Sequence, residues 1–391
     1  MDFTLLKDFM DRLCAWRIPG NTVSVRIGGK EVFNYQSGWE DIEKKIPMQK
    51  DSLYNIYSCS KVTTAVAAMQ LYEKGYFLLD EPVSTYIPEF GTLYVKGEDG
   101  QVRKAQKPLT IRHLLTMTGG LSYDDNTQGF KNARIESKGR MDTLTVVRHL
   151  ADDPLLFEPG DNWHYSLGLD VMAGVIEVIS GQKFRDYVKE HIFEPLGMND
   201  SYYHNESVRD KMAKLYRYVD SDQVDLIAQQ SGKAVPKFDG YLEDAGKDCS
   251  YVYGPEYDSG GAGITTSAHD YSVLAAALAC GGVGPNGQRI LAPGTIDFMR
   301  TDQLNDKTRP GFDWIQMKGY GYGIGVRTLV DKAGGSTGNL GEFGWGGAAG
   351  ATVLADPSCQ LSMFYTHHML NQQEVFYQPR LRNVLYTCLS M

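Results

Sequence analysis

Alternating apolar residues near both ends of the chain restrict its fold more than any other feature of the sequence. Residues 22–27 and 31–35 alternate with period two on either side of Gly28-Gly29. Residues 351–355 and 361–365 repeat this pattern close to the C-terminus. Period-two alternation around a short turn predicts an antiparallel hairpin. The sequence therefore predicts strands at both chain ends.

Helical spacing dominates the region between these strands. Val62, Ala65, Val66 and Met69 recur in three- and four-residue steps, which predicts a helix from Ser58 to Lys74 that ends at Gly75. The other predicted elements are helices at 111–116, 167–179, 184–192, 267–279 and 380–389, a strand at 322–329, and a loop-rich segment at 203–258.

These patterns together predict an α+β fold, in which an antiparallel sheet built from both chain ends is flanked by helices. Residues 1–78 and 256–391 are expected to form the α/β sheet domain, and 79–255 a mainly helical inserted domain. A cleft between two such parts is the usual place for a small-molecule site.

Charge and hydropathy exclude several classes of partner. The chain carries 39 basic and 48 acidic residues, a net charge of −9, without a basic cluster. Such a surface repels phosphate backbones, so no nucleic-acid partner is expected. No stretch reaches the roughly 18 apolar residues of a membrane span, so none is predicted. The oligomeric state cannot be read from these features.

Six widely spaced cysteines form no zinc or disulfide pattern and are predicted to be free thiols, which favours a reducing compartment. The first residues lack the basic start and apolar run of a signal peptide. A cytoplasmic location is therefore expected, although a leader removed before residue 1 would leave no trace in the sequence.

The tetrapeptide Ser58-Cys59-Ser60-Lys61 is the main candidate for chemistry. Residues three apart share a helix face, so the Lys61 amine can reach the Ser58 hydroxyl. Unpaired N–H groups at the helix start can stabilise an oxyanion, and a partly buried lysine can act as a base. The alternative is an ordinary helix start with a solvated lysine. Cys59 points away from the shared face and is expected in the core.

Two similar motifs are weaker candidates. Ser180-Gly181-Gln182-Lys183 also matches S-x-x-K, but it lies where a predicted helix ends, and a helix C-terminus disfavours an anion. Gly334-Gly335-Ser336-Thr337-Gly338 matches the lipase pattern, but a glycine-rich loop follows where a nucleophile elbow needs a helix.

Two later segments complete the candidate site. Tyr165 precedes the helix predicted at 167–179 and could direct its hydroxyl into a cleft. Trp345-Gly346-Gly347-Ala348 leads into a late strand, where the two glycines permit close approach of a ligand and the Ala348 N–H could bind an oxyanion. A packing tyrosine and a tight turn are the structural alternatives. His164 is expected to pack beside Tyr165, and His367-His368 lacks a metal-spaced partner.

The order of these motifs resembles the serine β-lactamase/penicillin-binding-protein superfamily. Within it, the chain is similar to the class C β-lactamase-like branch and most of all to the family VIII esterases. Four flanking segments carry the same resemblance: 109–121, Glu158-Pro159-Gly160, 194–198 and 260–267. Together they span about residues 20 to 390.

The resemblance implies a β-lactamase/transpeptidase-like fold and chemistry without a metal or cofactor. It implies that Ser58 is acylated, that Lys61 and Tyr165 share the general acid and base roles, and that the N–H groups of Ser58 and Ala348 form the oxyanion hole. Trp345, Gly346, Gly347 and Leu167 would contact the substrate.

Two departures from the family pattern change the expected substrate. Leu167 stands where Tyr-x-Asn has an amide, and Trp345-Gly346-Gly347 replaces Lys-Thr-Gly, so a cation and a hydroxyl are missing. We therefore expect a serine hydrolase of small-molecule esters or amides with little or no β-lactamase activity. A D-amino-acid peptidase or carboxypeptidase, an acyltransferase, or a non-catalytic binder on a decayed hydrolase fold remain alternatives.

Overall fold

The largest sheet among the described residues is antiparallel and has eight strands. The computed structural model describes residues 1–16, 18–97, 99–219, 239–371 and 373–390. The strands are β1 (Gly20–Ile27), β2 (Lys30–Asp41), β3 (Ile46–Pro47), β4 (Leu53–Asn55), β5 (Tyr94–Lys96), β6 (Val102–Lys104), β7 (Ser201–Tyr203), β8 (Tyr216–Val219), β9 (Tyr241–Asp244), β10 (Ile264–Ser267), β11 (Tyr320–Tyr322), β12 (Arg327–Leu329), β13 (Phe343–Gly346), β14 (Thr352–Asp356), β15 (Leu361–Thr366) and β16 (Met369–Leu370). The helices are α1 (Thr4–Ala15), α2 (Ser60–Glu73), α3 (Ile111–Leu115), α4 (Gln128–Glu136), α5 (Thr143–His149), α6 (Gly168–Ser180), α7 (Phe184–Val188), α8 (Glu194–Leu196), α9 (Ala268–Ala279), α10 (Pro293–Met299) and α11 (Glu374–Ser390).

The large sheet joins the two ends of the chain. Its strand order is β11-β12-β13-β14-β15-β1-β2-β3, and β1 pairs antiparallel with β15 through Val23 and Tyr365. The β1–β2 turn places Gly28 and Gly29 at φ of 57° and 79°, the left-handed pair that a tight hairpin turn requires. The predicted α+β fold, with an antiparallel sheet built from both chain ends, is confirmed.

Helices cover both faces of this sheet, and the side chains of each strand point alternately to the two faces. Val23 and Val25 of β1 pack in the apolar cluster that α1 and α11 form on one face. Ser24 points to the opposite face, where its hydroxyl lies 3.0 Å from Ser272 of α9. The sheet is therefore a central layer, and α9 separates it from the rest of the molecule on the side of Ser24.

Helix α2 is buried on all sides, from Ser60 to Leu71. Its spacing predicts a single apolar face, but it packs between helix α6 and strand β13, so both of its sides meet protein. Gly75 follows with φ of 75° and ends the helix, as predicted. A helix enclosed in this way is a rigid support for side chains at its start.

Three predicted elements differ in the structure. Residues 322–329 form part of the β11–β12 hairpin instead of one strand, because Gly323 and Gly325 lie in a turn. The final helix starts at Glu374 and runs through Pro379, six residues earlier than the sequence predicts.

The predicted loop-rich segment 203–258 also contains regular structure. Strands β8 and β9 pair there, with Tyr216 opposite Asp244, while 220–238 lie outside the described residues. The division of the chain into a sheet domain and an inserted domain at 79–255 stays a prediction.

The six cysteines carry free thiols, as the sequence predicts. Across the described parts of the chain, no helix is long and apolar enough to span a lipid bilayer.

Candidate active site

Ser58 lies in a short 3₁₀ turn, Tyr57–Cys59, between strand β4 and helix α2. Tyr57 has a φ of 47°, in the left-handed region that costs a non-glycine residue about 1–3 kcal/mol. This turn joins β4 to α2 directly and places Ser58 at the start of the helix. Cys59 is fully buried, with its Sγ 3.6 Å from the Trp345 carbonyl, so it is a core residue as predicted.

Lys61 is fully buried beside Ser58. Its Nζ lies 3.2 Å from Ser58 Oγ, 2.8 Å from the Gly261 carbonyl and 2.6 Å from Tyr123 Oη. Burial lowers the pKa of Lys61 to about 8, while the negative charge of Asp170 opposes this change. A neutral Lys61 can donate to Gly261 and Tyr123 and still direct its lone pair toward the Ser58 hydroxyl.

Tyr123 is a site residue that the sequence analysis missed. It binds Lys61 and packs against Tyr165, with 5.5 Å between the ring centroids. Burial raises the pKa of Tyr123 well above its usual value, so its phenol stays protonated. The sequence carried a signal for it, because Tyr123 stands two residues after the segment 109–121 that supports the family resemblance.

Tyr165 stands between Ser58 and Trp345. The Trp345 indole N–H donates to Tyr165 Oη at 3.0 Å, and the two rings stack with 5.6 Å between their centroids. Lys61 Nζ lies 4.7 Å from the centroid of the Tyr165 ring. Burial raises the pKa of Tyr165, although hydrogen bonds with Ser58 and Trp345 oppose this change. Trp345 therefore orients the phenol, a role that the sequence analysis did not predict for it.

The segment from Gly346 to Ala348 approaches the Ser58 turn closely. A Cβ at Gly347 would lie 2.1 Å from the Ile56 carbonyl oxygen, so only glycine fits there. The Gly347 N–H donates to the Ala351 carbonyl at 2.8 Å, which holds the turn. The Ala348 N–H donates to no acceptor among the described residues, so it is available to bind an oxyanion together with the Ser58 N–H.

A cavity of about 340 Å³ opens in front of Ser58. Its walls are mainly aromatic, and His164 also lines it. The aromatic wall residues are Tyr123, Trp163, Tyr165, Tyr251, Trp314 and Trp345. A larger cavity of about 600 Å³ shares Trp314 and Met317 with the first but is not lined by Ser58. The smaller cavity is therefore the candidate substrate site.

Asp170 is a second buried group that the sequence analysis did not identify. Its Oδ1 accepts hydrogen bonds from Tyr257 at 2.9 Å and Ser259 at 2.7 Å. Its Oδ2 and Lys61 Nζ lie 2.4 Å and 3.1 Å from the point where a Cβ on Gly261 would stand. The carboxylate thus lies close enough to act electrostatically on the Lys61 ammonium.

Leu167 does not belong to this group. It is 2% exposed, precedes helix α6 and is not among the residues that line the cavity, so its predicted contact with substrate has no structural support. Tyr123 instead supplies a polar contact to Lys61. This contact with Lys61 comes from a different part of the chain than Leu167.

The weaker sequence candidates lie elsewhere. The Ser180 hydroxyl donates to the Ile176 carbonyl at the end of α6, and Ser336 accepts from the Gly338 N–H in the loop between β12 and β13. His367 and His368 are buried, and no group of three or more potential metal ligands occurs in the described ranges.

Comparison with known proteins identifies the family. The Beta-lactamase family model matches residues 4–385. Esterase EstB of Burkholderia gladioli is 30% identical over 89% of this chain and 85% of that protein. Acyltransferase calJ of Penicillium decumbens is 26% identical over 91% of this chain and 84% of that protein.

A solved structure gives the same result at the level of the fold. The chain is similar to EstCE1, described as a hydrolase with promiscuous acyltransferase activity, with a TM-score of 0.76 and 25% identity. The likeness covers 98% of this chain and 97% of that one. The β-lactamase/transpeptidase-like fold predicted from the sequence is therefore confirmed.

Proposed function

The chain belongs to the Beta-lactamase family, and from this premise we propose that it hydrolyses carboxylic esters through an acyl-enzyme on Ser58. The family and its esterase-named relatives make it a serine hydrolase of the β-lactamase fold. The observation that carries the finer proposal is the contact of Lys61 Nζ with Ser58 Oγ at 3.2 Å, below an aromatic cavity.

The acylation step follows from this geometry. Neutral Lys61 takes the proton of the Ser58 hydroxyl as Oγ forms a bond to the ester carbonyl carbon. The carbonyl oxygen becomes an oxyanion, which the N–H groups of Ser58 and Ala348 stabilise. When the bond to the alcohol breaks, the Tyr165 phenol supplies its proton and is reprotonated from Lys61. The Lys61 and Tyr165 titrations are coupled, so the proton belongs to the pair.

Water completes the cycle by the same route. It gives its proton to the Lys61/Tyr165 pair and attacks the acyl carbonyl, and Ser58 leaves as its hydroxyl. An alcohol in place of water would give a new ester. The names of EstCE1 and calJ support such transfer as a second candidate activity.

Trp345 supports esters over β-lactams as substrates. Trp345 stands where the family's Lys-Thr-Gly motif has its lysine, and its indole N–H donates to Tyr165. It therefore offers no positive charge to a substrate carboxylate. Little or no β-lactamase activity is therefore proposed. Small molecules, not nucleic acids, are the proposed partners.

Nitrophenolate release from p-nitrophenyl butyrate, followed together with intact mass, tests this function. Wild type should release nitrophenolate and Ser58→Ala should not, while both give the same circular dichroism. Ser336→Ala is the matched control, because it removes the serine of the lipase-like motif outside the cavity. Turnover that persists in Ser58→Ala would refute the assignment. If wild type shows no nitrophenolate release and no acyl adduct, the result would favour a peptidase or the non-catalytic binder.

A further inference from the structure

Asp170 is a fully buried carboxylate that the ester hydrolysis proposed above does not use. It lies in the first turn of helix α6 and does not line the cavity in front of Ser58. Burying a carboxylate is costly unless hydrogen bonds and an opposite charge compensate the loss of water. The groups around Asp170 therefore show what its presence in the interior achieves.

The hydrogen bonds of Asp170 attach the segment 257–261 to helix α6. Tyr257 and Ser259 belong to this segment, and both of their hydroxyls donate to Asp170 Oδ1, at 2.9 Å and 2.7 Å. One carboxylate oxygen thus holds two side chains that lie two residues apart. The position of the segment relative to α6 depends on this oxygen.

The same segment contacts helix α2 through two backbone carbonyls. The Gly260 carbonyl accepts from Thr64 Oγ1 at 2.6 Å, and the Gly261 carbonyl accepts from Lys61 Nζ at 2.8 Å. The segment is therefore fixed on one side by Asp170 and on the other by α2. Through it, Asp170 determines where a carbonyl meets the proposed base.

The charge of Asp170 also acts on Lys61. A Cβ on Gly261 would stand 2.4 Å from Asp170 Oδ2 and 3.1 Å from Lys61 Nζ, so the two groups are no farther apart than the sum of these distances. Opposite charges this close in a buried site stabilise each other. Burial raises the pKa of Asp170, and the charge of Lys61 is the largest influence against this change.

The other titratable side chains around these two groups stay neutral near pH 7. Burial raises the pKa of each of them above its usual value, so each keeps its proton. They are Tyr123, Tyr165, Cys59 and Cys249 around Lys61, and Tyr203, Tyr253 and Tyr257 around Asp170. Among the described residues whose charge acts on Lys61, Asp170 is the one carboxylate.

We propose that Asp170 is a positioning residue for Lys61. Its hydrogen bonds fix the Gly261 carbonyl against the amine, and its charge stabilises the ammonium that forms when Lys61 takes the Ser58 proton. The proton moves from Ser58 Oγ to Lys61 Nζ, and Asp170 stays ionised throughout. This inference rests on the ester hydrolysis proposed above, in which Lys61 is the base.

Asp170→Asn separates the charge from the hydrogen bonds, because the amide oxygen can still accept from Tyr257 and Ser259. Without the charge the Lys61 ammonium is less stable, so the pKa of Lys61 should fall. With p-nitrophenyl butyrate, we expect the rise of kcat/KM to move to lower pH by about one pH unit or more, and its plateau to fall about tenfold. A merely structural role would lower the rate without moving the pH profile.

Asp270→Asn is the matched control. Asp270 is also buried and accepts hydrogen bonds from the Asp200 N–H and the Ser201 hydroxyl, but it is not among the groups that act on Lys61. Its pH profile should coincide with that of wild type. An unmoved profile in Asp170→Asn, or an equal shift in Asp270→Asn, would overturn the inference.

Ser259→Ala is a milder variant, which still tests the positioning if Asp170→Asn does not fold. It removes one hydrogen bond and keeps the charge, so kcat should fall several-fold while the pH profile stays in place. An unchanged kcat in Ser259→Ala would contradict the positioning of the Gly261 carbonyl by Asp170.

The ¹⁵N chemical shift of the Lys61 side chain gives a readout that does not need turnover. In protein labelled at lysine Nζ, the signal of Lys61 is assigned by its loss in Lys61→Arg. Its titration should give a lower pKa in Asp170→Asn than in wild type, and equal values would overturn the inference. Failure of wild type to cleave p-nitrophenyl butyrate would instead refute the ester hydrolysis, so the two failures are distinct.

Discussion

The Nζ of Lys61 and the Oη of Tyr123 lie 2.6 Å apart, inside a pocket where the lysine has no exposed surface. This contact and the Gly261 carbonyl occupy two of the three hydrogen-bond positions around the lysine nitrogen. The third position faces Ser58. The orientation of the proposed base therefore depends on a tyrosine 62 residues away in the chain.

Tyr123→Phe should lower kcat for ester hydrolysis by about tenfold to hundredfold, because Lys61 becomes an ammonium as it takes the Ser58 proton and a hydrogen bond to a charged group contributes about 1.5–3 kcal/mol. Steady-state kinetics with p-nitrophenyl butyrate measures this. Tyr251→Phe is the matched control, since Tyr251 lines the same cavity, 5.5 Å from the Tyr123 ring, but is not a hydrogen-bond partner of Lys61. Equal losses in the two variants would contradict the orienting role of Tyr123.

The pH dependence of acylation should report the Lys61 base. Burial lowers the pKa of Lys61 to about 8, and only the neutral amine can accept the Ser58 proton. We expect kcat/KM to rise with pH and to level off above about pH 8. Lys61→Arg should be inactive at every pH, because a guanidinium does not deprotonate in this range. A flat wild-type profile from about pH 6 to about pH 9 would contradict the assignment of the base.

Gly261→Ala should displace the lysine without changing the backbone conformation. The new Cβ would stand 2.4 Å from Asp170 Oδ2, which is closer than these atoms can pack, and 3.1 Å from Lys61 Nζ, which is tight enough to push the amine aside by a few tenths of an ångström. We expect kcat to fall at least about tenfold, because misplaced catalytic groups lose rate steeply. Gly294→Ala is the control, since no atom lies within 4 Å of its Cβ position. Retained activity in Gly261→Ala would show that the lysine can relocate without loss.

The buried pair of Arg327 and Glu342 should matter for stability. Their side chains are fully buried, with 3.1 Å between Nη1 and Oε1, and they join β12 to the segment that enters β13. Arg327→Met should cost about 3–5 kcal/mol of unfolding free energy, because it removes the ion-pair partner of a buried carboxylate and leaves it only the hydrogen bond from Tyr320.

Urea unfolding measures this cost, and the variant that also carries Glu342→Leu should recover a large part of it. Arg209→Met is the control, because its partner Asp248 is exposed and such pairs contribute at most about 1 kcal/mol. A loss no larger in Arg327→Met than in Arg209→Met would contradict the prediction.

Much of the fold could be predicted because its signals are local. The two terminal hairpins, the helix predicted from Ser58 and the helix predicted from residue 111 each depend on residues a few positions apart. The predictions of one strand at 322–329 and of a final helix starting at residue 380 were wrong, because Gly323, Gly325 and Pro379 alter the local pattern.

By itself, the sequence determined the family, the sheet built from both chain ends, and the Ser58–Lys61 spacing, because periodicity and short motifs operate within one or two helical turns. Only the tertiary structure brought Tyr123 and the Gly261 carbonyl to Lys61, and Glu374 to the cavity. It also placed the Leu167 side chain in the core. These contacts join residues 62 and 200 positions apart from Lys61, and no local pattern encodes which distant groups a packed interior places together.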